Sequence, residues 1–528
     1  MSRTAGISGR RIALAGSNRA APGGAAYVGD VDPDERIVVA LHLKRRSPDK
    51  FQPGSEGDLA RLALPITRRA LAAQRQRTHA RAAARVQQFA KANDVAVRGV
   101  NLAGRVVMLE GSARQMAQIF GAKLCIYDDG EHRFRARIGQ LMVPTAIAPW
   151  TRAILGFDQR PFAAMPPNRL QPLAGAGTGT GLWPTEVAAQ YGIPLDRDLS
   201  SVCVGIIALG GGYLPADLTQ ALTGMQRQDR AVIDQSASGS GNHFGGGTPG
   251  DQEIALDLQI IAGLLPTARI VVYFAPNTIQ SLVTAINQAI FDDVHRPQVL
   301  SVSWGSAEKF WTAPGLDAMQ AVLADAKRLR VSVVFAAGDQ LATAGLSDGN
   351  AHVWFPASSP YALGCGGTAL GGDGTNAETV WNDGSSGTGG GISDVFPVPA
   401  YQTGLSLPPS VNDGGTRRGV PDVAGAAAGT PGYRIVLNGT ETVKDGTSAV
   451  APLWAALIAI ANAQRSTPLG FVNSALYANA ALFRPIVQGN NRADGTGYEA
   501  ASGWNACTGL GVPDGAAIVA ALAAAVVA

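Results

Sequence analysis

The sequence predicts an α/β protein: a large carboxyl-terminal domain built on a mostly parallel sheet flanked by helices, preceded by a small α+β domain. Two observations carry the larger domain. Short β-branched runs at Val202 to Leu209, Arg269 to Phe274, Gln298 to Ser303 and Val331 to Ala336 alternate with helix-like segments, as strands covered on both faces by crossover helices do. Polar residues collect at the carboxyl ends of two of these runs, in SVSWG and VVFAAGD, where open parallel sheets carry their functional groups. A third observation separates the domains: AAMPPNRLQPLAGAGTGTG, residues 163–181, is rich in Pro and Gly without apolar periodicity and reads as a linker.

In chain order, residues 1–33 are Gly-, Ala- and Ser-rich and are expected to be a disordered tail. Residues 34–162 are expected to form the α+β domain: Arg36 to Arg46 (RIVVALHLKRR) has strand composition, and Pro65 to Asn93 is helical and rich in Ala and Arg. A strand pair, a short helix and a further strand follow. The linker spans 163–181 and the second domain 182–528. Gly177, Gly179 and Gly181 do not form a phosphate loop, since no strand feeds them and no Lys-Ser/Thr pair follows.

Of 528 residues, 46% are hydrophobic and 16% charged, enough to bury two cores. A net charge of +3 over this length gives no reason to expect nucleic acid or an anionic membrane as partner. No run reaches the ~20 apolar residues of a membrane span, and residues 1–29 lack the pattern of an ordinary secretory signal. Cys125, Cys203, Cys365 and Cys507 lie far apart without C-x-x-C spacing. They read as buried free thiols, with one long-range disulfide left open.

The first chemical signal is Asp445-Gly446-Thr447-Ser448 leading into the apolar stretch Leu453 to Ala463. A serine at a helix start sits among free backbone N–H groups, which suits a nucleophile whose reaction makes an oxyanion, and equally suits a plain helix start. Of the six histidines, only His243 and His352 lie in loops of the second domain where they could approach a site, and neither has a neighbouring acid in a recognisable motif. The base is therefore sought among carboxylates. Glu253 and Asp257, one turn apart in an apolar helix, share a face. Two such acids resist joint ionisation, share a proton, and accept a hydroxyl proton in acid, where histidine is already charged. The competing reading is a helix-dipole cap. Asp339 ends the apolar strand VVFAAGD; kept neutral, it would donate a hydrogen bond to an oxyanion, and otherwise it is a polar strand cap.

These segments together resemble the sedolisin, or serine-carboxyl, peptidase family, its kumamolisin branch most of all. The resemblance rests on GIIALGGGY (205–213), EIALD (253–257), YFAPNT (273–278), SVSWGSAE (301–308), AAGD (336–339), FPASSPY (355–361), WNDG (381–384), RGVPDVAG (418–425) and GTSAVAP (446–452). It implies a subtilisin-like fold with a seven-stranded parallel sheet. It also implies an acid-acting, secreted, monomeric endopeptidase made as a zymogen, whose own prodomain, residues 34–162, inhibits it until the linker is cut. By position, Ser448 would be the nucleophile, Glu253 the base, Asp257 its proton-sharing partner and Asp339 the oxyanion donor. Ser303, Trp304 and Gly305 would line the substrate channel and pair with an extended protein or peptide substrate.

Three departures from the family pattern stand out. Ala208 replaces a glutamate that extends the proton network. Pro485 and Asn505 replace two calcium-binding aspartates, leaving the Ile486 carbonyl, with Asp494, Glu499 or Asp514 as the only substitutes, so calcium is doubtful as a cofactor. Trp354 replaces an acid near the channel, which predicts an apolar rather than basic side-chain preference. Arg68, Arg69, Arg75, Arg77, Arg81 and Arg85 read either as a solvated helix face or as an ionic contact of the prodomain with the second domain. The competing functions are a catalytically silent binding protein of the same fold and a histidine-based subtilisin relative.

Overall fold

The structure, a computed structural model, describes residues 10–44, 65–162, 171–172, 181–371 and 378–525. The expected cleavage segment thus lies almost entirely outside the described residues.

The amino-terminal domain is built on a four-stranded antiparallel sheet, in the order Ala96–Asn101, Val106–Ser112, Arg36–Leu43, Thr151–Leu155. Helix α1, Arg68–Ala92, is capped by Thr67, whose side chain accepts from the Ala70 N–H. Its buried stripe changes partner along its length. Ala82, Ala83, Val86 and Ala90 belong to the prodomain core, whereas Leu71 packs into the core of the second domain. The expectation of a disordered tail over 1–33 is corrected for the described part: Arg11–Ala13 pairs with Met142–Pro144, and Ala26–Asp30 pairs with Lys123–Asp128. Both partners lie far downstream, Pro144 opposite Arg11 and Cys125 opposite Asp30, so the local Gly- and Ala-rich composition carries no sign of them.

The second domain is organised by an eight-stranded sheet. Seven strands are parallel: β1 Cys203–Leu209, β2 Ile233–Ser236, β3 Arg269–Ala275, β4 Val299–Val302, β5 Ser332–Ala336, β6 Leu363–Ala369 and β7 Val423–Ala426, in spatial order β2-β3-β1-β4-β5-β6-β7. Thr379–Val380 adds antiparallel to β6. Alternation along β1 assigns the faces. Val204, Ile206 and Ala208 point into one core with helices α2 (Pro249–Leu264) and α5 (Val450–Asn462). Cys203, Ile207 and Leu209 point into the other with α3 (Ile279–Phe291) and α4 (Ala313–Arg328). This is the subtilisin-like arrangement that the motifs imply. Among the described residues, no helix is long and apolar enough to cross a membrane. All four cysteines are buried free thiols.

The domains meet through the first half of α1 and nearby loops. Arg75 and Arg105 both bind the buried carboxylate of Asp325 on α4, Arg105 at 2.9 Å. Arg68 donates to the carbonyls of Ile290 (2.8 Å) and Pro297 (2.7 Å), and Arg152 pairs with Asp317 at 3.3 Å. The two readings of the Arg-rich helix therefore divide by residue. Arg68 and Arg75 contact the second domain, while Arg69, Arg77, Arg81 and Arg85 are exposed.

Candidate active site

The carboxyl ends of β4 and β5, the start of α5 and the first two turns of α2 converge on one point. Helix α2 begins at Thr248, whose side chain accepts from the Asp251 N–H in a capping box. Asp251, fully buried, accepts from the N–H groups of Gly212 (2.7 Å), Gly245 (3.0 Å), Gly247 (3.0 Å) and Thr248 (2.7 Å). Gly211, at φ +66°, must be glycine, because a Cβ there would lie 2.5 Å from the Gly250 carbonyl carbon. The capping acid is thus Asp251, and Glu253 and Asp257 are left to face the sheet. Sequence reasoning passed over Asp251 as a fixed point of the site, although Thr-x-x-Asp is a readable capping signal.

Glu253 and Asp257 are 5% and 1% exposed. Burial raises both carboxyls, Asp257 well above the usual range with the Glu253 charge adding to it; the nearby Ser448 and Ser303 hydroxyls and the Lys444 charge favour ionised Glu253. Glu253 Oε1 has no hydrogen-bond partner. The Ser303 hydroxyl lies 2.7 Å from Asp257 Oδ1 and 3.1 Å from the Ser448 carbonyl oxygen. One hydroxyl proton serves only one acceptor. The chain is fully satisfied when Asp257 carries a proton and donates it to Ser303, which then donates to Ser448.

Ser448 lies in the 3-10 turn Thr447–Ala449 that opens α5, 7% exposed. Asp339 follows β5 and accepts at Oδ1 from the Thr447 N–H (2.8 Å) and hydroxyl (2.6 Å), while Thr447 Oγ1 accepts from the Gly338 N–H at 3.1 Å. This clasp fixes Asp339 one residue from Ser448. Gly446, at φ +121°, leaves room for it: a Cβ there would lie 2.9 Å from Asp339 Oδ2. Burial raises the Asp339 carboxyl, against its Thr447 hydrogen bonds.

The structure thus brings together Ser448, Glu253, Asp257, Asp339 and Ser303. Ser303–Gly305 lies between the ladders of β4 and Ser306–Ala307. The Ser303 side chain, expected only to lend its backbone, joins the carboxyl network. Trp304, expected beside the channel, is 2% exposed and its indole N–H donates to the Ile207 carbonyl at 2.9 Å. Trp354 covers Gly305 and Gly338, where an added Cβ would lie 2.7 and 2.6 Å from its ring. Ala208 is fully buried on β1 and offers no proton relay. His243 is exposed. His352 does have an acidic neighbour that its sequence context hid, Asp348 at 2.9 Å.

At the implied calcium position the donor set does not fit a hard cation. Pro485 has no side-chain oxygen. Asn505 Nδ2 donates to the carbonyls of Ile486 and Ala501, both at 3.1 Å, and its Oδ1 accepts from the N–H groups of Cys507 (3.1 Å) and Thr508 (3.0 Å). The amide nitrogen thus takes the carbonyls a cation would need. Glu499 is exposed and paired with Arg492 at 3.2 Å, and Asp514 caps a helix through the Ala517 N–H.

Comparison with known proteins agrees with this geometry. Residues 23–160 match the family model "Pro-kumamolisin, activation domain", and residues 233–497 match "Subtilase family". The chain is 38% identical to kumamolisin of a Bacillus species over 97% of its own length and 96% of the relative's. It is 26% identical to tripeptidyl-peptidase sed5 of Aspergillus fumigatus over 95% and 96%. Among solved structures, Pseudomonas sedolisin complexed with two molecules of pseudo-iodotyrostatin superposes with a TM-score of 0.58 at 30% identity, covering 65% of this chain and 98% of that one. The chain belongs to the sedolisin family of serine-carboxyl peptidases, with a kumamolisin-type activation domain ahead of its subtilisin-like peptidase domain.

Proposed function

We propose that the chain is the zymogen of an acid-acting endopeptidase that frees itself by cutting its own linker. In this reading Ser448 Oγ attacks the substrate carbonyl carbon and passes its proton to Glu253. The oxyanion accepts a hydrogen bond from neutral Asp339. Glu253 returns the proton to the departing amine, and water then resolves the acyl-enzyme by the same steps in reverse order. Asp257, held protonated, keeps the second charge out of the dyad. The observation that carries this is the buried carboxyl pair beside Ser448, with the Ser303 hydroxyl between Asp257 and the Ser448 carbonyl.

An endopeptidase mode is supported by the domain order, because release of an amino-terminal prodomain requires scission of an internal bond. The prodomain acts as the intramolecular inhibitor through the contacts on α3 and α4, and the Ile486/Asn505 corner works without calcium. The test is digestion of a peptide blocked at its amino terminus, by the processed protein and by its Glu253→Gln and Ser448→Ala forms. Internal products lost in both substitutions support the reading. Release of tripeptides only from free amino termini would replace endopeptidase by tripeptidyl-peptidase action.

A further inference from the structure

Lys444 is a buried charge that the steps above leave without a task. It ends the strand Thr440–Lys444, four residues before Ser448, and is 2% exposed. Its ammonium donates to Gln252 Oε1 at 2.9 Å, and Gln252 Nε2 in turn donates to the Gly247 carbonyl at 2.8 Å. Gln252 therefore fixes the ammonium against the first turn of α2, at the residue that precedes Glu253. A buried lysine with one neutral acceptor is costly unless opposite charge surrounds it. Burial lowers the ammonium, and the charges of Glu253 on α2 and of Asp445, next in sequence, act against that.

We propose that Lys444 is a positioning residue that acts through Glu253, its fixed ammonium keeping Glu253 ionised, and so able to take the Ser448 proton, in more acid solution than the carboxyl pair alone would allow. This rests on the serine-carboxyl reading of the site. The groups facing Glu253 divide clearly by sign. Asp257 on α2 and Asp339 after β5 oppose its ionisation. Asp445 adds negative charge beside Asp339 and is itself influenced by Asp383. Against these stand two hydroxyls, Ser303 and Ser448, and one cation, Lys444. Without that cation, burial and whatever charge the neighbouring carboxyls carry act to protonate the base. Ala208 supplies no outer acid on the other side, so the positive charge on the Ser448 side takes on the tuning of the dyad.

The sign follows directly. Removing the ammonium raises Glu253, so the base is lost at higher pH and the acid limb of kcat/KM moves up. It raises Asp339 too, so the neutral oxyanion donor persists further and the alkaline limb moves the same way. The test compares pH profiles of kcat/KM for the processed protein and its Lys444→Gln, Lys444→Met and Lys444→Arg forms. Lys444→Gln keeps a donor for Gln252 and guards against loss of the fold, which thermal melting checks. An opposite charge within about 4–6 Å shifts a carboxyl by about one unit or more. The expected result is an upward move of about one pH unit in Lys444→Gln and Lys444→Met, with about tenfold lost kcat/KM on the acid side, and a near-original profile in Lys444→Arg. A folded Lys444→Gln protein with an unmoved profile overturns the proposal. A Glu253→Gln protein that stays active overturns the underlying base assignment instead, so the two failures are distinguishable. Should the lysine variants fail to process, carbon NMR titration of the Glu253 carboxyl in Ser448→Ala protein, with and without Lys444→Gln, reads the same shift.

Discussion

Ser303 Oγ stands 2.7 Å from Asp257 Oδ1 and reaches the backbone of Ser448 on its other side, linking the outer acid of the dyad to the nucleophile's own peptide unit. Ser303→Ala removes the hydroxyl that accepts the Asp257 proton and donates to the Ser448 carbonyl, which leaves a buried group unsatisfied on each side and favours charge on Asp257, raising Glu253. Such bonds are worth roughly 1.5–3 kcal/mol, so kcat/KM is expected to fall about ten- to hundredfold, with the acid limb displaced upward and KM little changed. Steady-state kinetics across pH on the processed protein checks this.

Asp325 holds two prodomain arginines, Arg75 and Arg105, in a buried cluster. Asp325→Asn leaves both cations without their anion, and breaking one partner of a buried pair costs about 3–5 kcal/mol. The prodomain of the Ser448→Ala protein is expected to become sensitive to an added protease at neutral pH, while the peptidase domain stays resistant. Equal prodomain resistance in both forms would contradict the clamp.

His42 and His79 give the same interface a pH dependence. Burial, with Arg105 and Arg152 nearby, lowers His42 from 6.5 to about 3; burial, with Arg105 and Arg75, lowers His79 to about 4. His42 also lines a cavity of about 720 Å³ shared with Asn287 and Phe291 of α3. A group buried in its neutral form contributes fully above its free pKa and loses that contribution as pH falls toward the folded value. The zymogen is therefore expected to weaken from about pH 6.5 down to about pH 3–4, by up to about 1.4 kcal/mol per pH unit for each histidine. Replacing both with Gln should flatten prodomain stability over that window, as read by melting of the Ser448→Ala protein.

Asn505 makes the carboxyl-terminal corner a test of metal independence. Chelator is expected to leave the melting temperature unchanged. Asn505→Asp removes both Nδ2 donations and is expected to lower stability by about 1–3 kcal/mol, with calcium restoring part of the loss. A chelator-sensitive original protein would contradict the reading.

Much of this was legible in the sequence because it is local. Apolar runs alternating with helices gave β1, β3, β4 and β5 to within a residue or two, and the four-residue spacing of Glu253 and Asp257 survives on α2. What escaped is long-range. The strands at Arg11–Ala13 and Ala26–Asp30 are defined by partners far downstream. Ser303 and Lys444 join the site only because β4, α2 and the Thr440–Lys444 strand meet in space. The hydrogen bond from the Trp304 indole to the Ile207 carbonyl of an adjacent strand is of the same long-range kind.

The central claim is that Ser448 works through a carboxyl base in acid. It is tested most directly by self-processing and casein digestion between about pH 3 and pH 7, where the dyad and histidine readings diverge, for the original protein, Ser448→Ala and Glu253→Gln. The account predicts acid-dependent cleavage within 163–181 that is abolished in both substitutions. Robust processing by Glu253→Gln, or activity near neutrality that fades in acid, would contradict it.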